Sequence, residues 1–130
     1  MLNERAEEYI KDGCTIENAM IEKAEISSDD IPTVDLVLKL PYGGVVFGGV
    51  CFGGPKKDKY GESYISGWDK GMTIIYRMMQ IAGVSRWNQL PNKPVRAVMK
   101  GNMIVAVGHF MEDIFLDYKK PFYDTDEVKD

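Results

Sequence analysis

The segment Thr33–Leu40 alternates apolar and polar side chains, and this pattern limits the possible folds more than any other part of the chain. The apolar residues stand at every second position: Val34, Leu36, Leu38 and Leu40. Successive side chains of a β-strand point to opposite faces of the sheet, so a period of two predicts one buried and one solvated face. Sheets with one solvated face are typically antiparallel. We therefore expect an antiparallel sheet.

Further strands are expected on both sides of this segment. Thr15–Ser27 is interpreted as a strand, although its alanine, methionine, glutamate and lysine content also favours a helix. The dipeptide Gly101-Asn102 suits a type II′ hairpin turn because glycine stands at its first position. The two strands of the hairpin are Val95–Lys100 and Met103–Phe110, and a short last strand covers Ile114–Leu116.

One long helix is expected between the two groups of strands. It begins at a cap residue, Ser63 or Ser66, and ends at Ala82, where Gly83 stops it. Its apolar stripe has helical spacing and consists of Trp68, Met72, Ile75 and Met79. A capped single turn over Ser85–Leu90 follows.

Three segments are expected at the periphery of the domain. A short helix over Asn3–Lys11, ended by Gly13, makes residues 1–13 an appendage that lies on the domain or on a partner subunit. Pro55–Glu62 is interpreted as a mobile charged loop, and residues 119–130 as a loose acidic tail.

The segment Gly43–Gly54 contains three Gly-Gly pairs at five-residue intervals. It matches neither the dinucleotide-binding fingerprint nor the phosphate-binding loop. Glycine within a strand pattern marks bulges and bends, or places where another backbone or a ligand comes close. Two interpretations therefore stay open for this segment: a bent strand or hairpin that needs positive φ values, and a site of close ligand approach.

Together these elements predict a single α+β domain over residues 1–130. The antiparallel sheet has about five to six strands and packs with one long helix, and the short N-terminal helix is added to it. The acidic N-terminus lacks the apolar core of a signal peptide, and no apolar run approaches the roughly 20 residues that a membrane span needs. We expect a cytoplasmic protein without a membrane partner.

The net charge of the chain limits the kinds of partner that it is expected to bind. Sixteen basic and 20 acidic side chains give a net charge of −4. A sequence-independent binder of nucleic-acid polymers would need a basic face to neutralise phosphates, so that class is not expected. A pocket for one small anion remains compatible with this balance, because two or three arginines suffice for it.

Residues suited to catalysis are few. His109 is the single histidine, and the two cysteines, Cys14 and Cys51, stand far apart, so no zinc-ligand spacing is present. A Cys51–His109 pair is possible by spacing, but the apolar surroundings of Cys51 would raise the pKa of its thiol. We predict no catalytic residue, no metal and no cofactor. His109 orients a ligand, acts as a base or is a hydrogen-bonded structural residue, and the structural interpretation is preferred.

Binding chemistry is better represented than catalysis. Arg86 precedes Trp87, and Arg96 lies on the next predicted strand. A guanidinium and an indole together can hold a phosphate with an attached base, through paired hydrogen bonds and stacking. The alternatives are that Trp87 anchors the core and that Arg96 lies on a solvated face of its strand.

The order of motifs resembles the first family of Thoeris anti-defence proteins, among the small proteins common in phage and prophage genomes. After the Thr33–Leu40 strand and the Gly-Gly segments come Ile81-Ala82-Gly83-Val84, Ser85-Arg86-Trp87, Leu90-Pro91-Asn92-Lys93-Pro94-Val95-Arg96 and Val107-Gly108-His109-Phe110. The likeness spans Thr15–Leu116. Two departures are Ser28-Asp29-Asp30-Ile31-Pro32, where related proteins carry a charged loop with His-Gly, and Asp113-Ile114-Phe115, which lacks a basic residue expected to contact phosphate.

The resemblance implies a sponge that binds a cyclic ADP-ribose isomer, the alarm signal of a host defence, without cleaving it. It also implies a symmetric homo-oligomer in the host cytosol. The candidate ligand-binding residues are Phe47, Gly48, Gly49, Arg86, Trp87, Asn92, Arg96 and His109. The alternative function is a protein–protein inhibitor of a host defence complex, of the anti-CRISPR or anti-restriction type, whose acidic balance would suit a target with a basic channel.

Overall fold

The computed structural model describes residues 4–27, 32–51, 53–67 and 69–117. These residues form two α-helices, eight β-strands and one short 3₁₀ turn. In chain order they are α1 (Glu4–Lys11), β1 (Thr15–Ser27), β2 (Thr33–Leu40), β3 (Gly43–Cys51), β4 (Gly53–Lys57), β5 (Ser63–Gly67), α2 (Asp69–Ala82), the 3₁₀ turn (Trp87–Gln89), β6 (Pro94–Lys100), β7 (Met103–His109) and β8 (Phe115–Asp117).

Six of the strands form one antiparallel sheet in the order β3-β2-β1-β6-β7-β8. Strands β4 and β5 form a separate two-stranded sheet. The prediction of an α+β fold with an antiparallel sheet, one long helix and a short N-terminal helix is confirmed. Among the described residues, no helix is long and apolar enough to cross a membrane.

The main sheet buries both of its faces, but against different elements. One face, here called the α2 face, packs the larger core around Leu36, Leu38 and Val107 together with Ile74 and Met78 of α2. The opposite face, the α1 face, packs a smaller core that joins Ala6, Cys14, Val98, Ala106 and Phe115. The alternation of β2 is confirmed, since Val34, Leu36, Leu38 and Leu40 are all buried while Lys39 is exposed.

Several local predictions agree with the structure. Gly101 has a φ of 63° in the turn between β6 and β7, as the first position of a type II′ turn requires. Helix α1 ends at Gly13, whose φ is 90°. The 3₁₀ turn and β8 lie where a single turn and a short strand were expected.

The glycine-rich segment forms β3, which contains a bulge, and the start of β4. The register between β2 and β3 shifts between Val34 and Leu36, so Asp35 lies against Gly48. A Cβ atom on Gly48 would overlap the Asp35 carboxylate and come within 2.6 Å of the Asp35 Cα. Close packing against β2 therefore explains the need for glycine at this position.

The predictions of a charged loop and of the start of the long helix were wrong. Pro55 lies in β4 and pairs with Ile65 of β5, so the segment is half of a hairpin. Ser63 and Ser66 are strand residues, and α2 begins only at Asp69. The cause is hydrogen bonding between β4 and β5, which competes with helix formation. A possible serine cap does not by itself show which of the two structures forms.

The buried stripe of α2 is also rotated from the predicted one. Met72 is 57% exposed, whereas the buried positions are Gly71, Ile74, Met78 and Ile81. Ile75 and Met79 are half-buried at the edge of that stripe. Both sets have helical spacing, and contact with β6, β7 and β8 selects between them. Three parts of the predictions lie outside the described residues: Asn3 at the start of the first helix, Trp68 in the apolar stripe and the tail at 119–130.

Candidate functional site

The eight predicted ligand-binding residues lie in separate parts of the fold. Phe47 is 1% exposed and belongs to the core of the α2 face, so its ring offers no surface to a ligand. Gly48 and Gly49 follow it on β3, where Gly48 packs against Asp35. These positions build the sheet, and the side chain of Phe47 is not accessible for the ligand contact expected of it.

Asn92 shapes the turn that leads into β6. Its φ is 69°, a left-handed conformation that asparagine tolerates better than most residues. Its backbone N–H donates to the carbonyl of Ile21 at 2.7 Å, and the Ile21 N–H donates to the carbonyl of Lys93 at 2.9 Å. These bonds fix the turn to β1 and leave the Asn92 side chain exposed.

Arg96 lies on the α1 face and is fully engaged there. Its Nε donates to the His109 carbonyl at 2.8 Å, and its Nη2 donates to the Glu112 carbonyl at 2.8 Å. Its guanidinium carbon lies 4.8 Å from the centre of the Phe115 ring. The prediction that Arg96 converges with Trp87 was wrong, because Trp87 packs against the opposite face of the sheet.

Arg96 nevertheless helps to position the loop that follows His109, another predicted ligand-binding residue. Its two hydrogen bonds hold the loop between β7 and β8, which begins after His109. From the other end, the His109 Nδ1 accepts hydrogen bonds from the N–H groups of Met111 and Glu112, both at 3.0 Å. Arg96 is therefore a positioning residue for this loop.

The hydrogen bonds of His109 define which nitrogen is free. Because Nδ1 accepts two backbone N–H groups, the neutral ring carries its proton on Nε2. His109 pairs with Val95 across the strands, so its ring lies on the α2 face. Its Nε2 points toward the end of α2, where a Cβ atom on Gly83 would lie 3.7 Å away. The ring thus presents a hydrogen-bond donor beside the end of that helix.

Arg86 and Trp87 follow Gly83 on the same side of the sheet. The Gln89 side-chain oxygen accepts hydrogen bonds from the N–H groups of Ser85 at 3.3 Å and Arg86 at 3.1 Å, which fixes the backbone of this turn. The Arg86 side chain is exposed and makes no hydrogen bond or ion pair with another described residue. The Trp87 indole is half-buried against the core, so part of its ring remains accessible.

We call Arg86, Trp87 and His109 the α2-end site. Its groups are an exposed guanidinium, a partly exposed indole and an imidazole N–H donor near the end of α2, which are groups suited to an anion attached to a flat ring. The two neighbours of the site on the β7–β8 loop, Phe110 and Met111, expose apolar surface.

Sequence reasoning missed two further features. An open cleft of about 330 Å³ lies between β3 and the start of β7, lined by Val45, Val46, Asn102, Met103 and Ile104. The second feature is a polar network on the α1 face around Asp113 and Asp117. Both arise from the approach of segments distant in sequence, and no local pattern marks them.

The described part of the chain offers little support for thiol chemistry or for metal binding. Cys14 is a free, buried thiol on the α1 face, away from His109. No group of three or more histidine, cysteine, aspartate or glutamate side chains among the described residues is arranged to hold a metal ion. Comparison with protein families, with curated proteins and with solved structures found no match.

Proposed function

We propose that this protein binds and sequesters a small cyclic nucleotide signal, a cyclic ADP-ribose isomer, and leaves it chemically intact. The observation that carries the proposal is the exposed Arg86 guanidinium, which has no hydrogen-bond or ion-pair partner among the described residues and belongs to the residue next to Trp87, whose indole is half-buried. The resemblance of the motif order to the first Thoeris anti-defence family supplies the identity of the ligand.

Each group of the α2-end site has a role in this proposal. The Arg86 guanidinium donates paired hydrogen bonds to a phosphate, and the exposed part of the Trp87 indole stacks on adenine. The Nε2–H of His109 donates to a second ligand oxygen. Arg96 holds the loop that carries His109 and does not touch the ligand.

The same geometry favours binding over cleavage. The Nδ1 of His109 already accepts two backbone N–H groups, and Nε2 carries a proton, so the neutral ring has no free lone pair with which to act as a base. The guanidinium of Arg86 cannot take up a proton. The ligand is therefore expected to leave the protein in the form in which it entered.

A second copy of the chain completes this site in the proposal. Arg86 is exposed and Trp87 only half-buried, so one chain leaves the bound ligand open to water. Tight binding of a small ligand requires that most of its surface be buried. A homo-oligomer that places another surface over the α2-end site would supply that burial and a further cation for the second phosphate.

The test is retention followed by release. The purified protein is incubated with cyclic ADP-ribose isomers, separated from free ligand by filtration and then denatured by heat. Intact ligand in the heated fraction supports sequestration, and a degraded ligand indicates an enzyme. Arg86→Ala should lose retention without a change in melting temperature, while the remote exposed variant Lys39→Ala should retain the ligand fully.

The alternative, inhibition of a host protein complex, is favoured by one observation. The cleft between β3 and β7 is rimmed by exposed apolar side chains, including Val46 and Met103, and such surfaces often mark protein contacts. Under this alternative, Val46→Asp and Met103→Asp abolish protection of a phage in a plaque assay, although ligand retention stays absent in the wild-type protein.

A further inference from the structure

The loop between β7 and β8, residues 110–114, is closed by hydrogen bonds between its two ends. The His109 N–H donates to the Ile114 carbonyl at 2.8 Å, and the Ile114 N–H donates to the Glu112 carbonyl at 2.8 Å. The Nη2 of Arg96 donates to the same Glu112 carbonyl. Because the strands on either side pair directly, the loop is a short closed unit. A displacement at one end is therefore expected to move the other end.

One end of this loop holds the His109 ring. The ring Nδ1 accepts hydrogen bonds from the N–H groups of Met111 and Glu112, both at 3.0 Å. These two bonds set the orientation of the ring and keep its proton on Nε2, the nitrogen that serves the α2-end site. Without them the ring can rotate, and the proton can reside on either nitrogen. The donor of the site thus depends on where two loop amides lie.

The other end of the loop is fastened to helix α1. The half-buried Asp113 carboxylate accepts hydrogen bonds from the N–H groups of Arg5 at 2.9 Å and Ala6 at 3.1 Å. A further bond joins the helix to the start of β8, because the Arg5 Nη1 donates to the Phe115 carbonyl at 3.2 Å. Ala6 is itself buried in the core of the α1 face, which keeps the helix in place. The helix therefore provides a fixed support for Asp113.

Asp113 and one of the amides that hold the ring belong to adjacent residues. The Glu112 N–H donates to the ring, and the Glu112 carbonyl accepts from Arg96. The next side chain, that of Asp113, bonds to α1. A carboxylate that accepts two N–H groups is a strong, charge-assisted acceptor, and its removal would release an anchor of this part of the backbone. Hydrogen bonds thus connect α1, on one face of the sheet, with the His109 ring on the other.

We propose that Asp113 is a positioning residue for the α2-end site: through the loop, it holds the His109 ring so that Nε2–H meets the ligand. A donor that is oriented in advance needs less ordering on binding than one that must first be fixed. The coupling acts in both directions, so loss of the ring bonds should also loosen the start of α1. The role in binding rests on the proposed function, whereas the effect of Asp113 on the ring does not.

Nuclear magnetic resonance of the nitrogen-labelled protein tests the effect on the ring without any ligand, at about pH 8, where free histidine is neutral. In the wild-type protein the two ring nitrogens should report one tautomer, with the proton on Nε2. In Asp113→Ala the signals should shift toward a mixture of tautomers, and the Met111 and Glu112 amides should exchange with solvent at least about tenfold faster. In His109→Ala the Arg5 and Ala6 amides should in turn exchange faster.

The consequence for binding is measured by the retention assay. Asp113→Ala should hold a cyclic ADP-ribose isomer at least about tenfold more weakly. Asp113→Asn keeps an acceptor oxygen and should restore part of both the ring signals and the retention. Glu112→Ala truncates the neighbouring exposed side chain, whereas the bonds to His109 and Arg96 come from the Glu112 backbone. This control should match the wild type in every measurement.

Each result counts for or against Asp113. Circular dichroism first establishes that a variant is folded, and Asp113→Asn takes the place of Asp113→Ala should the latter not fold. A folded Asp113 variant with wild-type ring signals and amide exchange overturns the proposal, and a displaced ring with unchanged retention overturns the role in binding. A wild-type protein that retains no ligand contradicts the proposed function, while the ring signals still decide whether Asp113 positions His109.

Discussion

Helix α1 and the arm, as we call the hairpin of β4 and β5, both lie outside the main sheet, yet they are held differently. Helix α1 is bonded to β8 and to the loop before it: the Asp113 carboxylate accepts hydrogen bonds from the N–H groups of Arg5 at 2.9 Å and Ala6 at 3.1 Å, and the Tyr9 hydroxyl donates to Asp117 at 2.8 Å. The arm forms a two-stranded sheet of its own and exposes its tyrosine side chains.

The difference separates an element that is bonded into the fold from one that is mostly exposed. The carboxylate of Asp113 caps α1 from more than 100 positions away in sequence, and the guanidinium groups of Arg5 and Arg96 both lie near the Phe115 ring. These contacts integrate α1 into the fold, so damage there should reduce stability. Damage to the arm should leave stability nearly unchanged.

The largest effect is expected at Phe115, which is almost fully buried. Phe115→Ala removes the ring that packs with Tyr9, 5.3 Å away between ring centres, and should lower the free energy of unfolding by about 3–5 kcal/mol. Chemical denaturation measures the change. Phe110→Ala, which truncates an exposed ring on the adjoining loop, is the control and should cost less than about 1 kcal/mol. Equal losses from the two variants would contradict the role given to Phe115.

A smaller loss is expected when the remote cap is removed. Asp113→Ala leaves two N–H groups at the start of α1 without their acceptor and should cost about 1–2 kcal/mol. Glu112→Ala is the matched control, because only its backbone participates in hydrogen bonds. Helical content from circular dichroism should fall in the first variant alone.

Alkaline pH provides a third test of the α1 anchor. Burial, followed by the hydrogen bond to Asp117 and the charge of that residue, raises the pKa of Tyr9 well above its ordinary value of about 10. The unfolded chain therefore loses this proton first, so the stabilisation is complete below about pH 10 and declines as the pH rises toward the folded-state pKa.

Tyr9→Phe should remove that decline together with about 1 kcal/mol at neutral pH. Urea titrations at about pH 8 and about pH 11 measure the two free energies. Tyr76→Phe, on an exposed tyrosine of α2, should behave as the wild type does. A slope that persists unchanged in Tyr9→Phe would assign the pH dependence to another group.

The smallest change in stability is expected in the arm. Tyr60→Ser should alter the free energy of unfolding by less than about 0.5 kcal/mol, since the side chain is exposed. A large loss of stability in Tyr60→Ser would reverse the distinction between the arm and α1.

Local sequence patterns predicted the structure correctly where the residue type at each position reflects its burial or its backbone conformation. The alternation of β2 and the glycine at the β6–β7 turn are of this kind, and both agree with the structure. The arm was not predicted, because its strands are short and mostly exposed, and no period-two pattern marks them. The pairing of β4 with β5, which makes the segment a hairpin and not a loop, cannot be read from the local sequence.

The site was only partly predictable for a related reason. Trp87 and His109 lie on the α2 face of the sheet, whereas Arg96 lies on the α1 face. Strand β6 is apolar on both faces, because Val95 and Ala97 pack in the core of the α2 face and Val98 packs in that of the α1 face. A strand that is buried on both faces shows no alternation of polar and apolar residues, so the sequence did not assign Arg96 to a face.

Nuclear magnetic resonance of the ring nitrogens tests the central proposal most directly, because the chain has one histidine and two tryptophans. Addition of a cyclic ADP-ribose isomer to the labelled wild-type protein should shift the Nε2 signal of His109 and the indole N–H signal of Trp87 in a saturable manner. Both shifts should vanish in Arg86→Ala. Ring signals that do not move at saturating ligand would contradict binding at the α2-end site.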